Sequence, residues 1–130
     1  MIVVDSSVWV AHFNHIDHPK VDALLGYLAE GSDQVVVLPA ILMEVLQGFQ
    51  REEGFEGAYR ILRPLVVPGP FLVTHVEAAR LYRRLRKRGI TIRGLLDCLI
   101  AAFCMEQGAA LLTMDRDFEH IAAHEPLGLV

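Results

Sequence analysis

The chain has 130 residues and a formal net charge of −4, from twelve Lys+Arg against sixteen Asp+Glu. At 53% hydrophobic and 22% charged, it predicts one domain spanning residues 1–130, able to bury a core without a disulfide or metal staple, and it excludes a disordered chain. The mild acidity argues against generic coating of nucleic acid but leaves room for a local basic surface, because binding responds to where charges lie.

Cys98 and Cys104 sit in one helical segment, poorly placed for an intrachain disulfide, so a reduced, cytoplasmic setting is expected. The apolar runs Val35–Met43 and Cys98–Met105 fall short of the ~18 residues that a membrane span needs. Met1-Ile2-Val3-Val4-Asp5 has no basic lead and meets an acid at once, which is unlike a signal peptide.

In chain order, Ile2-Val3-Val4 reads as a strand buried on both faces, and Asp5-Ser6-Ser7 supplies caps for a short helix. Pro19 opens a helix through Glu30 that Gly31 stops, with Val21, Leu24, Leu25 and Leu28 facing inward. A second strand is expected at Val35–Leu38. Pro39 then starts a helix running through Ile41, Val45, Leu46 and Phe49. The next helix spans Phe55–Leu65, closed by Pro64, Pro68, Gly69 and Pro70. Phe71-Leu72-Val73 reads as a short third strand, followed by a helix with Ala78, Leu81, Tyr82 and Leu85 inward and its end before Gly89. Leu95–Met105 is an almost wholly apolar helix ending at Gly108. Ala110–Thr113 is a strand, Phe118–Ala122 a short helix and Leu127–Val130 a last strand. Apolar strands alternating with helices predict an α/β sandwich, a parallel sheet with helices on both faces, whose ligands gather beyond the carboxyl ends of the strands.

Four of the sixteen acids stand in or directly after apolar segments: Asp5, Glu44, Asp97 and Asp115. A lone buried carboxylate is costly and is normally paired, hydrogen-bonded or metal-bound. Asp5 and Asp115 follow predicted strands and so project from one carboxyl edge. Glu44 and Asp97 lie near helix starts and lean back toward that edge, and Asp117 joins from the next turn. Singly, all but Glu44 have a plainer explanation: Asp5 and Asp115 or Asp117 as helix caps, Asp97 as a first-turn acid. Glu44, between Met43 and Val45, has none, and as a set the acids point to one shared site. Crowded carboxylates stay ionised only if cations neutralise them. An all-oxygen set without Cys or His favours Mg²⁺ or Mn²⁺ over zinc, and phosphodiester hydrolysis is the natural chemistry of such a site.

The residues Val3-Val4-Asp5-Ser6-Ser7-Val8-Trp9, Glu44-Val45-Leu46-Gln47-Gly48-Phe49, Arg88-Gly89-Ile90-Thr91-Ile92-Arg93 with Asp97-Cys98-Leu99-Ile100-Ala101-Ala102, and Leu112-Thr113-Met114-Asp115-Arg116-Asp117-Phe118 together resemble the PIN-domain ribonucleases, specifically the VapC toxins of type II toxin–antitoxin pairs. Four blocks in the expected order cover essentially the whole chain. The resemblance implies a PIN-like three-layer sandwich with a five-stranded parallel sheet, and Mg²⁺-dependent cleavage of RNA. It maps the metal ligands to Asp5, Glu44, Asp97 and Asp115 with Asp117 assisting, and places Ser7 and Thr113 as hydroxyls beside the site. It further implies a cognate antitoxin that wraps the toxin and blocks its site, and a homodimer. Gly94 departs from the pattern, because similar proteins often carry Ser before the third acid.

Half of the twelve basic residues lie between Arg80 and Arg88, with Arg80, Arg83, Arg84 and Lys87 sharing a face; a solvated helix end and a phosphate-binding stripe are balanced readings. Arg93 and Arg116, which flank predicted ligands, are the better candidates to touch a scissile strand. His12, His15 and His18 are read as surface histidines, and Trp9 with Phe13 as packing residues. Two other functions compete. A PIN-like module that grips RNA or protein without cutting is disfavoured by retention of all four acids. A phosphatase of another α/β family would want a second Asp where this chain has Ser7.

Overall fold

A computed structural model describes the backbone of residues 1–130 and every side chain except that of Ser32. Four strands form: β1 (Ile2–Val4), β2 (Val35–Val36), β3 (Ala110–Leu112) and β4 (Gly128–Leu129). All pair in parallel, in the order β2-β1-β3-β4. Successive side chains of a strand point to opposite faces, yet Ile2, Val3 and Val4 are all buried. Both faces of β1 are therefore covered, as the continuous apolar run requires.

Seven helices carry the rest: α1 (Ser6–Phe13), α2 (Pro19–Glu30), α3 (Pro39–Leu46), α4 (Glu52–Leu62), α5 (Leu72–Lys87), α6 (Leu95–Gln107) and α7 (Arg116–Ala122). Their boundaries follow local chemistry. Asp5 caps α1, and His18 caps α2 by accepting from the Lys20 amide at 3.0 Å, with Pro19 at the first helical position. Gly108 ends α6 in the left-handed region at φ 63°, where a side chain would be strained. α6 is the central helix: Cys98, Ile100, Ala101, Ala102, Phe103 and Cys104 are buried. α5 packs along it through Thr74, Ala78, Leu81 and Leu85. No described helix is long and apolar enough to cross a membrane.

The structure departs from expectation at four points. Phe71-Leu72-Val73 is not a strand. Phe71 is the N-cap of α5 and the other two form its first turn, with all three side chains largely exposed. Apolar identity alone could not tell a strand from an uncovered helix end. The sheet has four strands rather than five; a single parallel bridge between Val37 and Val66, with amide bonds Val37 N to Leu65 O at 2.9 Å and Val67 N to Val37 O at 3.0 Å, lies beyond β2. Finally, α3 stops at Leu46 instead of Phe49, because Gln47 caps it and sends its Nε2 back to the Glu44 carbonyl at 3.1 Å. The helix expected at 55–65 begins earlier, at Glu52, and tightens into a 3₁₀ turn at Arg63–Leu65 where Pro64 falls.

The fold makes a stability contrast testable. Ile100 is fully buried in α6, whereas Leu72 is 78% exposed. Ile100→Ala should cost about 2–5 kcal/mol in urea denaturation, while Leu72→Ala should leave the midpoint essentially unchanged.

Candidate metal centre

In the strand order, β1 lies between β2 on one side and β3 on the other, so the chain reverses direction of winding at the β1–β3 boundary. A crevice opens at the carboxyl ends of strands at such a point. The register pairs Val4 with Leu112, and the Asp5 amide bonds the Leu112 carbonyl at 2.9 Å. Asp5 therefore stands beside Thr113 at the same sheet edge.

Asp5 is 3% exposed and is held by hydroxyls. Its Oδ2 accepts from Ser7 Oγ at 2.7 Å, from Thr113 Oγ1 at 3.0 Å and from the Ser7 amide at 3.4 Å. Each hydroxyl also accepts a backbone amide: Met114 N to Ser7 Oγ and Asp115 N to Thr113 Oγ1, both at 3.0 Å. Both hydroxyls donate to Asp5, and their oxygens stand 3.5 Å apart at the outer limit of hydrogen-bond distance. Asp5 Oδ1 accepts no hydrogen bond from the described residues. Asp115 caps α7 through Oδ1, which accepts from the Asp117 amide at 2.9 Å. Capping engages one oxygen of Asp5 and one of Asp115 and leaves the second oxygen of each out of the cap.

Asp5, Ser7, Glu44, Asp97 and Asp115 line one open cleft of about 650 Å³. Carboxylate oxygens of two lining residues, Asp97 and Asp115, and of the adjoining Asp117 lie within 4.8 Å of one another. Asp117 is buried, and the turn after Asp115 brings it into this group. Asp5 and Glu44 share the cleft but stand outside that closest group. Arg93 reaches in from the segment before α6: its Nε donates to Asp117 Oδ2 at 3.2 Å and its Nη2 lies 3.6 Å from Asp115 Oδ1, although the side chain is 79% exposed. Arg116, by contrast, is exposed at the start of α7 and makes no ion pair with a described residue. Gly94 caps α6 without a side-chain bond, and a Cβ there would sit an unstrained 3.9 Å from Asp97 Oδ2. Glycine at this cap costs only a few tenths of a kcal/mol relative to Ser.

Sequence reasoning did not single out Ser6, Val10, Met43 or Gln47 as cleft-lining residues. Gln47 is three residues beyond Glu44 at the end of the same helix, so helical spacing would have found it. Met43 is 61% exposed, and its neighbours gave no sign of that. The cysteines take no part: burial pushes the Cys98 thiol up to about 11 and that of Cys104 to about 12, so neither is a nucleophile near neutrality.

Charge crowding leaves its mark on two acids. Burial, then Asp5, then Asp115 raise Glu44 above the ordinary carboxylate range, against the lowering effect of the Ser6 side chain. Asp97 is pushed up to about 7, first by burial and then by Asp115, Asp5, Asp117 and Glu44. A divalent cation fits this donor set. The ligands are all oxygen, three carboxylates converge, and Glu44 Oε1 is buried with no hydrogen-bond partner among the described residues. A carboxyl raised from 3.8 to about 7 binds its proton more tightly in the folded chain. Its stabilisation is therefore complete below pH about 4 and is lost as pH rises through about 7. In chelator, wild type should lose about 1–2 kcal/mol relative to Asp97→Asn across that window, allowing for solvent screening in an open cleft. Urea titrations of both proteins at several pH values measure the difference, and added Mg²⁺ should shrink it.

Comparison with known proteins supplies the family and the fold. The family model described as "PIN domain" matches residues 2–124. The chain is 31% identical to Ribonuclease VapC11 of Mycobacterium tuberculosis over 127 residues, covering 94% of this chain and 92% of that protein. Among solved structures, VapBC2 from Rickettsia felis, bound to a DNA fragment from its promoter, superposes with a TM-score of 0.76 at 20% identity, over 100% of this chain and 98% of that one. VapC20 of Mycobacterium tuberculosis, described as a sarcin–ricin loop cleaving toxin, gives 0.70 at 21% identity over 95% of each chain. Shared fold, near-complete coverage and a carboxylate cleft at the expected sheet edge lead to one assignment: the chain belongs to the PIN-domain family, among the VapC ribonucleases.

Proposed function

We propose that this protein is the toxin of a type II toxin–antitoxin pair and acts as a Mg²⁺-dependent endoribonuclease, with Mn²⁺ as a substitute. The supporting observation is the convergence of Asp97, Asp115 and Asp117 beside a buried, unpartnered Glu44 Oε1 in a cleft that Asp5 also lines. Asp5, Asp97 and Asp115 would hold the cation, with Asp117 assisting. Bound there, the cation supplies neutralisation of phosphoryl charge and acidifies water.

The chain's own residues do the rest. Ser7 and Thr113 hold one oxygen of Asp5 and leave the other facing the cleft. Glu44, whose proton affinity is raised by burial and by Asp5, orients the attacking water and takes its proton. Arg93, anchored on Asp115 and Asp117, presents the rest of its guanidinium to the scissile strand, and Arg116 contacts that strand from the α7 start. In-line attack of water on phosphorus, with departure of the 3′ oxygen, leaves a 5′-phosphate and a 3′-hydroxyl.

A cognate antitoxin would bind over the cleft and restrain this activity. The single domain, residues 1–130, would act in the cytoplasm as a homodimer. Sedimentation of the purified toxin should then give twice the 14.5 kDa of one chain; a monomer over the working concentration range would exclude the dimer.

Cleavage of single-stranded RNA should require Mg²⁺ and stop in chelator. Asp97→Asn should lower it by at least about a hundredfold while leaving the circular dichroism spectrum intact. Cutting that survives chelator, or full activity in Asp97→Asn, would refute the metal mechanism. RNA binding without any cutting would return the protein to the class of silent binding modules.

A further inference from the structure

The basic cluster of α5 divides into two faces that the sequence merged. Along one, Arg80 pairs with Glu77, Arg84 with Glu125, and Arg88 meets His124 Nδ1 at 3.3 Å. These cations are occupied by the protein itself. Along the other, Arg83 and Arg86 meet no carboxylate among the described residues. With Tyr82, Ile92, Arg93 and Leu95 they line a separate open cavity of about 450 Å³. The Arg86 guanidinium lies 5.6 Å from the centroid of the Tyr82 ring. Arg93 joins the two sites, since it lines this cavity and also pairs with Asp115, a wall of the carboxylate cleft.

We propose that the cavity carries the RNA backbone away from the scissile phosphate, with Arg83 and Arg86 gripping successive phosphates beyond Arg93. This rests on the ribonuclease reading given above. A chain of net charge −4 with its acids crowded at the cleft repels a polyanion, and a cation there offsets the repulsion only locally. A strand cut at the cleft must also continue past it, carrying one charge per nucleotide. Of the surfaces beside the cleft, this cavity offers three arginines and no carboxylate in its lining, together with an aromatic ring beside which a base can lie. Arg80 and Arg84, already neutralised, do not serve.

The test uses a fluorescein-labelled single-stranded RNA. Binding is followed by anisotropy across a KCl series with Ca²⁺ in place of Mg²⁺, and cleavage is measured in Mg²⁺. Arg83→Gln with Arg86→Gln should reduce the slope of log K against log salt by about 0.7 for each phosphate no longer neutralised. It should also raise KM roughly tenfold with kcat within about twofold, because neither arginine lines the carboxylate cleft. Arg83→Lys with Arg86→Lys should restore the slope, since a point charge suffices. Arg80→Gln with Arg84→Gln should leave it as in wild type. An unchanged slope in the Arg83/Arg86 Gln protein overturns the proposal, whether or not the wild type cuts RNA; failure of the wild type to cut speaks against the ribonuclease reading instead. An unchanged RNA slope with weakened antitoxin binding would assign these arginines to the protein partner and equally overturn it.

Discussion

The centre depends on how Asp5 is restrained. Its Oδ2 takes both side-chain hydroxyl protons of Ser7 and Thr113, and those hydroxyls take the amides of Met114 and Asp115. One carboxylate thereby ties the end of β1 to the end of β3 and to the turn that carries Asp115. Burying a carboxylate is costly unless its lone pairs are met, and here they are met on one side only. The other oxygen faces the cleft. Structure and chemistry thus share a group, and the bond that closes the sheet edge also aims a ligand.

Around that restraint the remaining acids are placed against their own electrostatic interest. Asp97, Asp115 and Asp117 converge within 4.8 Å, and the repulsion appears as the raised proton affinity of Asp97 and Glu44. Arg93 offsets part of it, but at the edge of the group and largely in solvent. The site is consequently crowded with negative charge, which a divalent ion bound there would relieve.

Much of this was legible in the sequence because it is carried by local patterns. Ile2-Val3-Val4 followed by Asp5, and Leu111-Leu112-Thr113 before Asp115, each give a strand and the polar group at its end. Glu44 was conspicuous because apolar neighbours surround it. What could not be read was tertiary. Phe71-Leu72-Val73 has strand-like composition, yet no strand lies beside it to supply hydrogen bonds, and it was absorbed into the start of α5. The Arg80–Arg88 cluster shows one run of charge in sequence, but Glu125 and His124 lie 41 and 36 residues from the arginines they meet, beyond the reach of any spacing rule. The sequence placed Asp97, Asp115 and Asp117 at one edge, but not that these three would be the closest group, because α6 and α7 meet only in the folded chain.

The margins of the sheet have a consequence of their own. On one side the ladder dwindles to a single bridge at Val66, between Pro64 and Pro68, and on the other it ends in the two residues Gly128–Leu129. Prolines and brevity leave few free amides along either border, so a neighbouring molecule has little on which to extend the ladder. Short edge strands with proline beside them are one means by which apolar sheets avoid pairing with strands of other molecules.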